Sequence, residues 1–197
     1  MLNLLLFFIL LSAVTNISTA QDDGTLCDKP PKITPNVTCC DNPALFDGVQ
    51  IDECYPRDSK DSIEELNCKG ILCLFEKFKF KKTDGSLDKT VIEQFFDNTL
   101  KGKPEWLDVV KNKAIGQCFG MVEDNYAKME ELLKTLKMPS QCAAKPMIMS
   151  ICISAKITAF CPDKFSSQDE TCKKQKIFNE KCINTPEKLV QAISYSD

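Results

Sequence analysis

Histidine is absent from this sequence. That absence excludes Ser-His-Asp and Cys-His nucleophilic catalysis, both of which need an imidazole as general base, and with them the histidine-dependent secreted phospholipases. It also removes the usual partner of cysteine in a zinc site, and no C-x-x-C pair occurs to build a zinc ribbon or a thioredoxin-like motif. Strand signals are nearly missing: no alternating Val/Ile/Thr run is bounded by hairpin dipeptides. Charge of one sign is missing too, with 25 Lys and Arg against 28 Asp and Glu, so no basic surface for nucleic acid is indicated. Beyond residue 20 no segment approaches the roughly 18 apolar residues of a spanning helix, so a soluble chain with no membrane anchor is expected.

The first twenty residues, "MLNLLLFFILLSAVTNISTA", hold an apolar stretch from Leu4 to Leu11 and end on Ser18-Thr19-Ala20. They read as a secretory signal peptide cleaved before Gln21. Twelve cysteines follow, none of them in that segment. In an oxidising export pathway an even set of this kind predicts six disulfides. The remaining 177 residues suit one domain with a sizeable core.

Residues 21–57 are rich in Pro, Asp and Asn and are expected to form an irregular arm held down by disulfides, with one short helix between Asn42 and Cys54. The arm contains a glycosylation sequon, Asn36-Val37-Thr38. Helical periodicity begins at "SIEE", where Ser62 and Glu65 make a capping box, and this helix is expected to reach about Lys81. "TDGS" at 83–86 turns the chain; it is not a calcium loop, because the register that Gly85 demands puts Phe80 and Val91 at ligand positions. A second helix spans about Asp88 to Leu100. Pro104 opens a third, carrying Trp106, Val109, Val110, Cys118, Phe119 and Val122. The 3.6 period runs on through Tyr126, Met129, Leu132, Leu133 and Leu136 until Pro139 ends it. "KPMIMSICISAKITAF" is the most apolar helix and is expected to be the central one. Helices from about Ser167 to Lys181 and from Pro186 to Tyr195 close an all-α chain. The acidic runs "DSIEEL" and "EDNYAKMEEL" fall on polar helix sides and read as solvated faces, not as paired catalytic carboxylates.

Nine helical positions advance about 900°, so Cys152 and Cys161 should face opposite sides of one helix and bolt it to two neighbours. Pro162 stops that helix directly after the second bolt. The spacing is specific: Cys73, 44 residues, Cys118, 23, Cys142, nine, Cys152, eight, Cys161-Pro162, ten, Cys172. This run resembles the insect odorant-binding proteins, Plus-C subclass, from about Cys54 to Cys172. One departure is the four-residue gap in "CKGILC", where five positions swing the sulfurs of Cys68 and Cys73 apart by about 140°. Gly70 would relieve it through a bulge or a late helix start.

The resemblance implies a disulfide-crosslinked bundle of about six to eight helices around an apolar cavity, with residues 58–165 as the family-like core and 166–197 as a C-terminal extension. It implies the pairings Cys54–Cys73, Cys68–Cys152 and Cys118–Cys161, with Cys142–Cys172 as the subclass addition. Cys27, Cys39, Cys40 and Cys182 are left, and because neighbouring cysteines rarely bond to each other, at least one of Cys39 and Cys40 is expected to reach Cys182 or another distant partner and pin the arm to the C-terminal region. It further implies a secreted, non-enzymatic carrier of odorants or pheromones in lymph, with no cofactor and no metal. Its partners would be a small hydrophobic ligand and an olfactory receptor or another odorant-binding protein. Pocket-lining candidates, taken from the apolar helix faces, are Phe75, Phe78, Phe95, Trp106, Val110, Phe119, Met129, Leu133, Met149 and Ile153, with Tyr126 or Tyr195 as a polar handle. In several odorant-binding proteins acid-triggered release involves histidines; with none here, binding that ignores mild acid is expected, and any release at low pH would fall to carboxylates or to movement of the tail. The alternative is a secreted interaction protein that keeps the scaffold without a small ligand.

Overall fold

The computed structural model describes residues 26–32, 37–46, 48–56, 60–136, 138 and 142–194. The expected signal peptide, residues 1–20, Asn36 of the sequon, Pro139 and Tyr195 lie outside them. Helix α1 is Gly48–Cys54, α2 is Ile63–Lys77 and α3 is Lys89–Thr99. Helix α4, Pro104–Asp108, runs through a π-helical segment, Val109–Ile115, into α5, Gly116–Thr135. Helices α6, Lys145–Ala159, α7, Glu170–Cys182, and α8, Pro186–Ser194, complete the order. Among the described residues, extended pairing is confined to isolated bridges between Cys40 and Ser166 and between Lys81 and Leu87, so the fold is all-α. No described helix is long and apolar enough to cross a membrane.

Local chemistry sets the ends of α2. Ser62 Oγ accepts from the Glu65 N–H at 3.2 Å, while the Glu65 carboxylate accepts from the Ser62 N–H at 3.3 Å, completing the capping box. The helix stops at Lys77 rather than Lys81, because Lys79 enters the left-handed region at φ 57°. The N–H of Phe80 then bonds the Phe75 carbonyl at 2.9 Å and that of Lys79 bonds Glu76 at 3.1 Å. This is a Schellman ending, and its hydrophobic clasp is the edge-to-face pair Phe75–Phe80 at 5.3 Å. A tight turn follows, with Gly85 at φ 83° and Asp84 accepting from the Ser86 N–H. Asp88 caps α3, Pro104 sits in the first turn of α4 and Asp169 caps α7.

Helix α6 is the centre, packed against α2, the π-helical segment, α5 and α7. Its rear buries Ile148, Met149, Cys152, Lys156 and Ala159. Lys156, 1 % exposed, donates from Nζ to Asn184 Oδ1 at 2.5 Å. Asn184 in turn donates to the carbonyls of Glu180 and Lys181, finishing α7. Burial pushes the Lys156 ammonium below the usual lysine range, and the charge of Glu180 opposes that shift.

Six disulfides join Cys27–Cys182, Cys39–Cys172, Cys40–Cys161, Cys54–Cys73, Cys68–Cys142 and Cys118–Cys152. Three pairings differ from those the resemblance implies. Cys68 bonds Cys142 rather than Cys152, Cys118 bonds Cys152 rather than Cys161, and Cys172 bonds Cys39 rather than Cys142. The reason is where α6 lies. It packs side by side with α5, so Cys118 meets the middle of α6, at Cys152. Cys142, just before α6, meets α2 at Cys68. Cys161 lies beyond the last turn of α6, where the arm runs past: Asp41 N–H bonds the Phe165 carbonyl at 2.9 Å and Ser167 N–H bonds the Cys39 carbonyl at 3.0 Å. The interlocked order, first with third, second with fifth, fourth with sixth, holds for Cys54, Cys68, Cys73, Cys118, Cys142 and Cys152, one cysteine earlier than the resemblance implies.

The wide gap between Cys68 and Cys73 needs no bulge. Both lie on a regular α2, and their divergence sends one sulfur to α6's entrance and the other to α1. Gly70 instead makes room for a ring. A Cβ there would fall 2.2 Å from Tyr55 Cζ, so glycine lets the Tyr55 ring lie on α2 where α1 packs. Gly70→Ala should lower stability by about 1–3 kcal/mol through overpacking, despite alanine's better helix propensity. Denaturant unfolding of the oxidised protein measures it, and an unchanged midpoint would show that the Tyr55 contact carries no stability.

Candidate ligand-binding cavity

A cavity of about 340 Å³ lies between the arm, α1, α2, α3 and α6. Its floor is apolar and almost fully buried: Leu74 and Phe75 from α2, Phe80 from the Schellman ending, Ile92 and Phe96 from α3, Ile153 and Ile157 from α6. The opposite wall is the arm, through Ala44, Leu45 and Phe46. Ile51 and Ile71 extend it, and Asn42, Ser150, Ser154 and Thr158 add polar atoms. At roughly 30 Å³ for each non-hydrogen atom, the figure for liquid water, the space holds about eleven such atoms. It falls in the range of small-molecule pockets.

At 100° per residue, the cavity-lining positions of α6, Ser150, Ile153, Ser154, Ile157 and Thr158, share one stripe, and Ile148, Met149, Cys152, Lys156 and Ala159 share the opposite one. The rear stripe is tied into the protein while the front stripe faces the hollow. The arm wall is held by aromatic contacts. Phe46 stacks on Phe95 at 5.4 Å and lies 5.5 Å from Phe78, and Phe78, Phe80, Phe95 and Phe96 continue the cluster at 4.7–5.6 Å. Upstream, Cys39–Cys172 and Cys40–Cys161 fasten the same arm covalently.

The ten candidates read from the sequence divide. Phe75 and Ile153 line the cavity. Phe78 and Phe95 stand behind its wall, in contact with Phe46. Trp106 belongs elsewhere, to an open surface cleft of about 400 Å³ shared with Phe165 and with charged Asp41, Lys103, Glu105 and Lys164. Val110, Met129, Leu133 and Met149 are fully buried in the packed core behind α6. Phe119 is half-buried on α5, with Lys89 Nζ 5.8 Å from its ring. The periodicity marks the apolar faces, but an apolar face packs against protein or against a hollow with the same side chains.

Tyr126 does not line the cavity. Its ring lies under Lys145 Nζ at 5.0 Å, and Lys145 pairs with Glu123 at 2.8 Å. Burial, aided by the charge of Glu130, raises its phenol pKa. The described part of the C-terminal segment packs on α5, burying Leu189 and Val190, and lines no part of the cavity. It is tied there by the Lys128–Glu187 ion pair and by Lys188 Nζ on the Cys27 carbonyl at 2.8 Å.

Sequence reasoning misses the arm wall and the hydroxyl row. The row has a visible signal, hydroxyl residues at i, i+4 and i+8 on the most apolar helix. Ile153→Phe should fill the cavity and weaken binding of a hydrophobic fluorescent probe at least tenfold, whereas Met129→Leu, in the packed core, should leave it within about twofold. Titration of the probe into each folded variant decides this; equal effects would place the binding site elsewhere.

Comparison with known proteins agrees with this architecture. The AgamOBP47-like family model matches residues 43–178, which include the cavity-lining positions from Ala44 to Thr158. General odorant-binding protein 68 of Anopheles gambiae is 24% identical over 180 residues, covering 89% of this chain and 84% of the relative. With twelve cysteines consistent with the Plus-C subclass, the chain belongs to the insect odorant-binding proteins of the AgamOBP47-like family.

Proposed function

We propose that this protein is a secreted carrier that takes small hydrophobic molecules, odorants or pheromones, into the cavity between arm and α6 and moves them through aqueous lymph. The observation that carries this reading is the cavity itself: a pre-formed hollow of about 340 Å³ with a buried, wholly apolar floor. Such a hollow forfeits packing contacts and so weakens the fold unless it is filled. Six disulfides, two of them fastening the wall, support that hollow and suit an oxidising extracellular fluid.

The energetics suit carriage with release. A ten-carbon ligand would gain about 8 kcal/mol gross from burial, at roughly 0.8 kcal/mol per methylene. Lost motion and desolvation subtract from that gain, leaving a Kd on the order of micromolar. Displacement of a hydrophobic fluorescent probe from the oxidised, delipidated protein by volatile alcohols, aldehydes and aromatics is the direct test. Saturable, selective displacement at micromolar concentration is expected. Folded, correctly paired protein that binds no probe would overturn the carrier reading in favour of a surface-acting interaction protein.

Mild acid should not release the ligand. Histidine is absent, and among the described residues Asp84, Glu170 and Glu187 are held below the ordinary carboxylate range. Hydrogen bonds from Ser86 lower Asp84, the Lys173 ammonium lowers Glu170, and Lys128 holds Glu187 at about 2. A carboxylate whose folded pKa lies below its unfolded value, about 4.3 for Glu, stabilises the fold above that value. The contribution fades as pH falls from there towards about 2. Probe affinity should therefore change less than about twofold between pH 5 and 8, with α8 loosening only in stronger acid. A sharp loss of affinity near pH 6 would contradict this.

A further inference from the structure

We infer that the cavity selects neutral amphiphiles of about ten non-hydrogen atoms bearing one hydroxyl or carbonyl group, and discriminates against carboxylates and ammonium ions. This rests on the carrier reading and goes beyond it by naming the ligand's chemistry. No charged side chain among the described residues lines the cavity. An ionic head seated against this lining would give up part of its hydration with no counter-charge to meet it, while its tail lay on the floor of Leu74, Phe75, Phe80, Ile92 and Phe96.

The polar atoms that the wall does offer are concentrated on one side. Ser150, Ser154 and Thr158 form a row along α6 with about 6 Å between successive members, and Asn42 stands on the arm. Ser150 is half-buried, while Ser154 and Asn42 are exposed at the mouth. Thr158 Oγ1 donates to the Ser154 carbonyl at 3.1 Å, which leaves its lone pairs to accept. Hydroxyl groups both donate and accept, so the row matches an alcohol, which does both, and a carbonyl, which accepts. The ligand's polar group rests on this row and its hydrocarbon part crosses onto the floor.

Probe displacement with a matched series tests the assignment at pH 7.5: nonan-1-ol, nonanal, nonanoate, nonylammonium and the hydrocarbon butylbenzene. The alcohol and the aldehyde should bind at least about tenfold more tightly than either ion. The triple variant Ser150→Ala, Ser154→Ala, Thr158→Val should weaken nonan-1-ol by about three- to tenfold, the value of one ordinary hydrogen bond. Its affinity for butylbenzene should stay within about twofold, which also shows that the cavity is intact. Nonanoate or nonylammonium binding as well as nonan-1-ol would overturn the selectivity while leaving the carrier reading in place. An equal loss of alcohol and hydrocarbon in the triple variant would overturn the placement of the polar group. Failure of the probe and every compound to bind would overturn the carrier reading and this one together.

Discussion

Three disulfides reach one short stretch of chain from three directions. Cys142, Cys152 and Cys161 span α6 and its two flanks, and they bond α2, α5 and the arm respectively. A helix held at both ends and in the middle can neither slide nor roll. Its rear stripe is then free to pack tightly and its front stripe to face a hollow. Everything at the cavity follows from that fixation: the floor from α2 and α3 is set against α6, and the arm is carried across the opening by the bond at Cys161.

The same constraint explains how a hollow is tolerated in a chain of this size. An unfilled space removes contact partners from the side chains around it, and the packing density of ordinary cores leaves few such spaces. Here the lost contacts are offset by crosslinks that close long loops, such as Cys27–Cys182 over 155 positions and Cys40–Cys161 over 121. Such closures stabilise mainly by restricting the unfolded chain, on the order of 4 kcal/mol for a single long loop. Six of them are not additive, because each shortens the loops left for the others. Stability supplied in this way does not depend on filling the centre.

What the sequence reveals divides by the range of the interactions. Ser62, Asp88 and Pro104 mark helix starts because a cap or a missing N–H acts within one turn, and those starts appear where the residues say. The helical class, the central place of α6 and a covalent link from at least one of Cys39 and Cys40 to a distant partner are legible too, although both cysteines make such a link and neither reaches Cys182. The disulfide partners of Cys68, Cys118 and Cys172 are not, since they depend on which helices lie side by side. The pocket is the least legible part. Phe75 and Met149 have the same apolar character, yet one faces the cavity and the other the packed rear of α6. Phe46 lies in a stretch without periodicity, and it becomes a wall only because the arm is anchored next to it.

Helix α3 stands apart from this covalent mesh. It supplies Ile92 and Phe96 to the cavity floor but carries no cysteine. Its cap at Asp88, the aromatic cluster and the ion pair from Lys111 to Asp97 at 2.8 Å hold it in place. Side chains there can be exchanged without altering which thiols meet during oxidation, since every paired sulfur lies on another segment. The shape of the pocket and the assembly of the scaffold are thereby assigned to separate parts of the chain. A lineage bearing this architecture has in α3 a surface on which to vary what it carries, with the route to the folded state left unchanged.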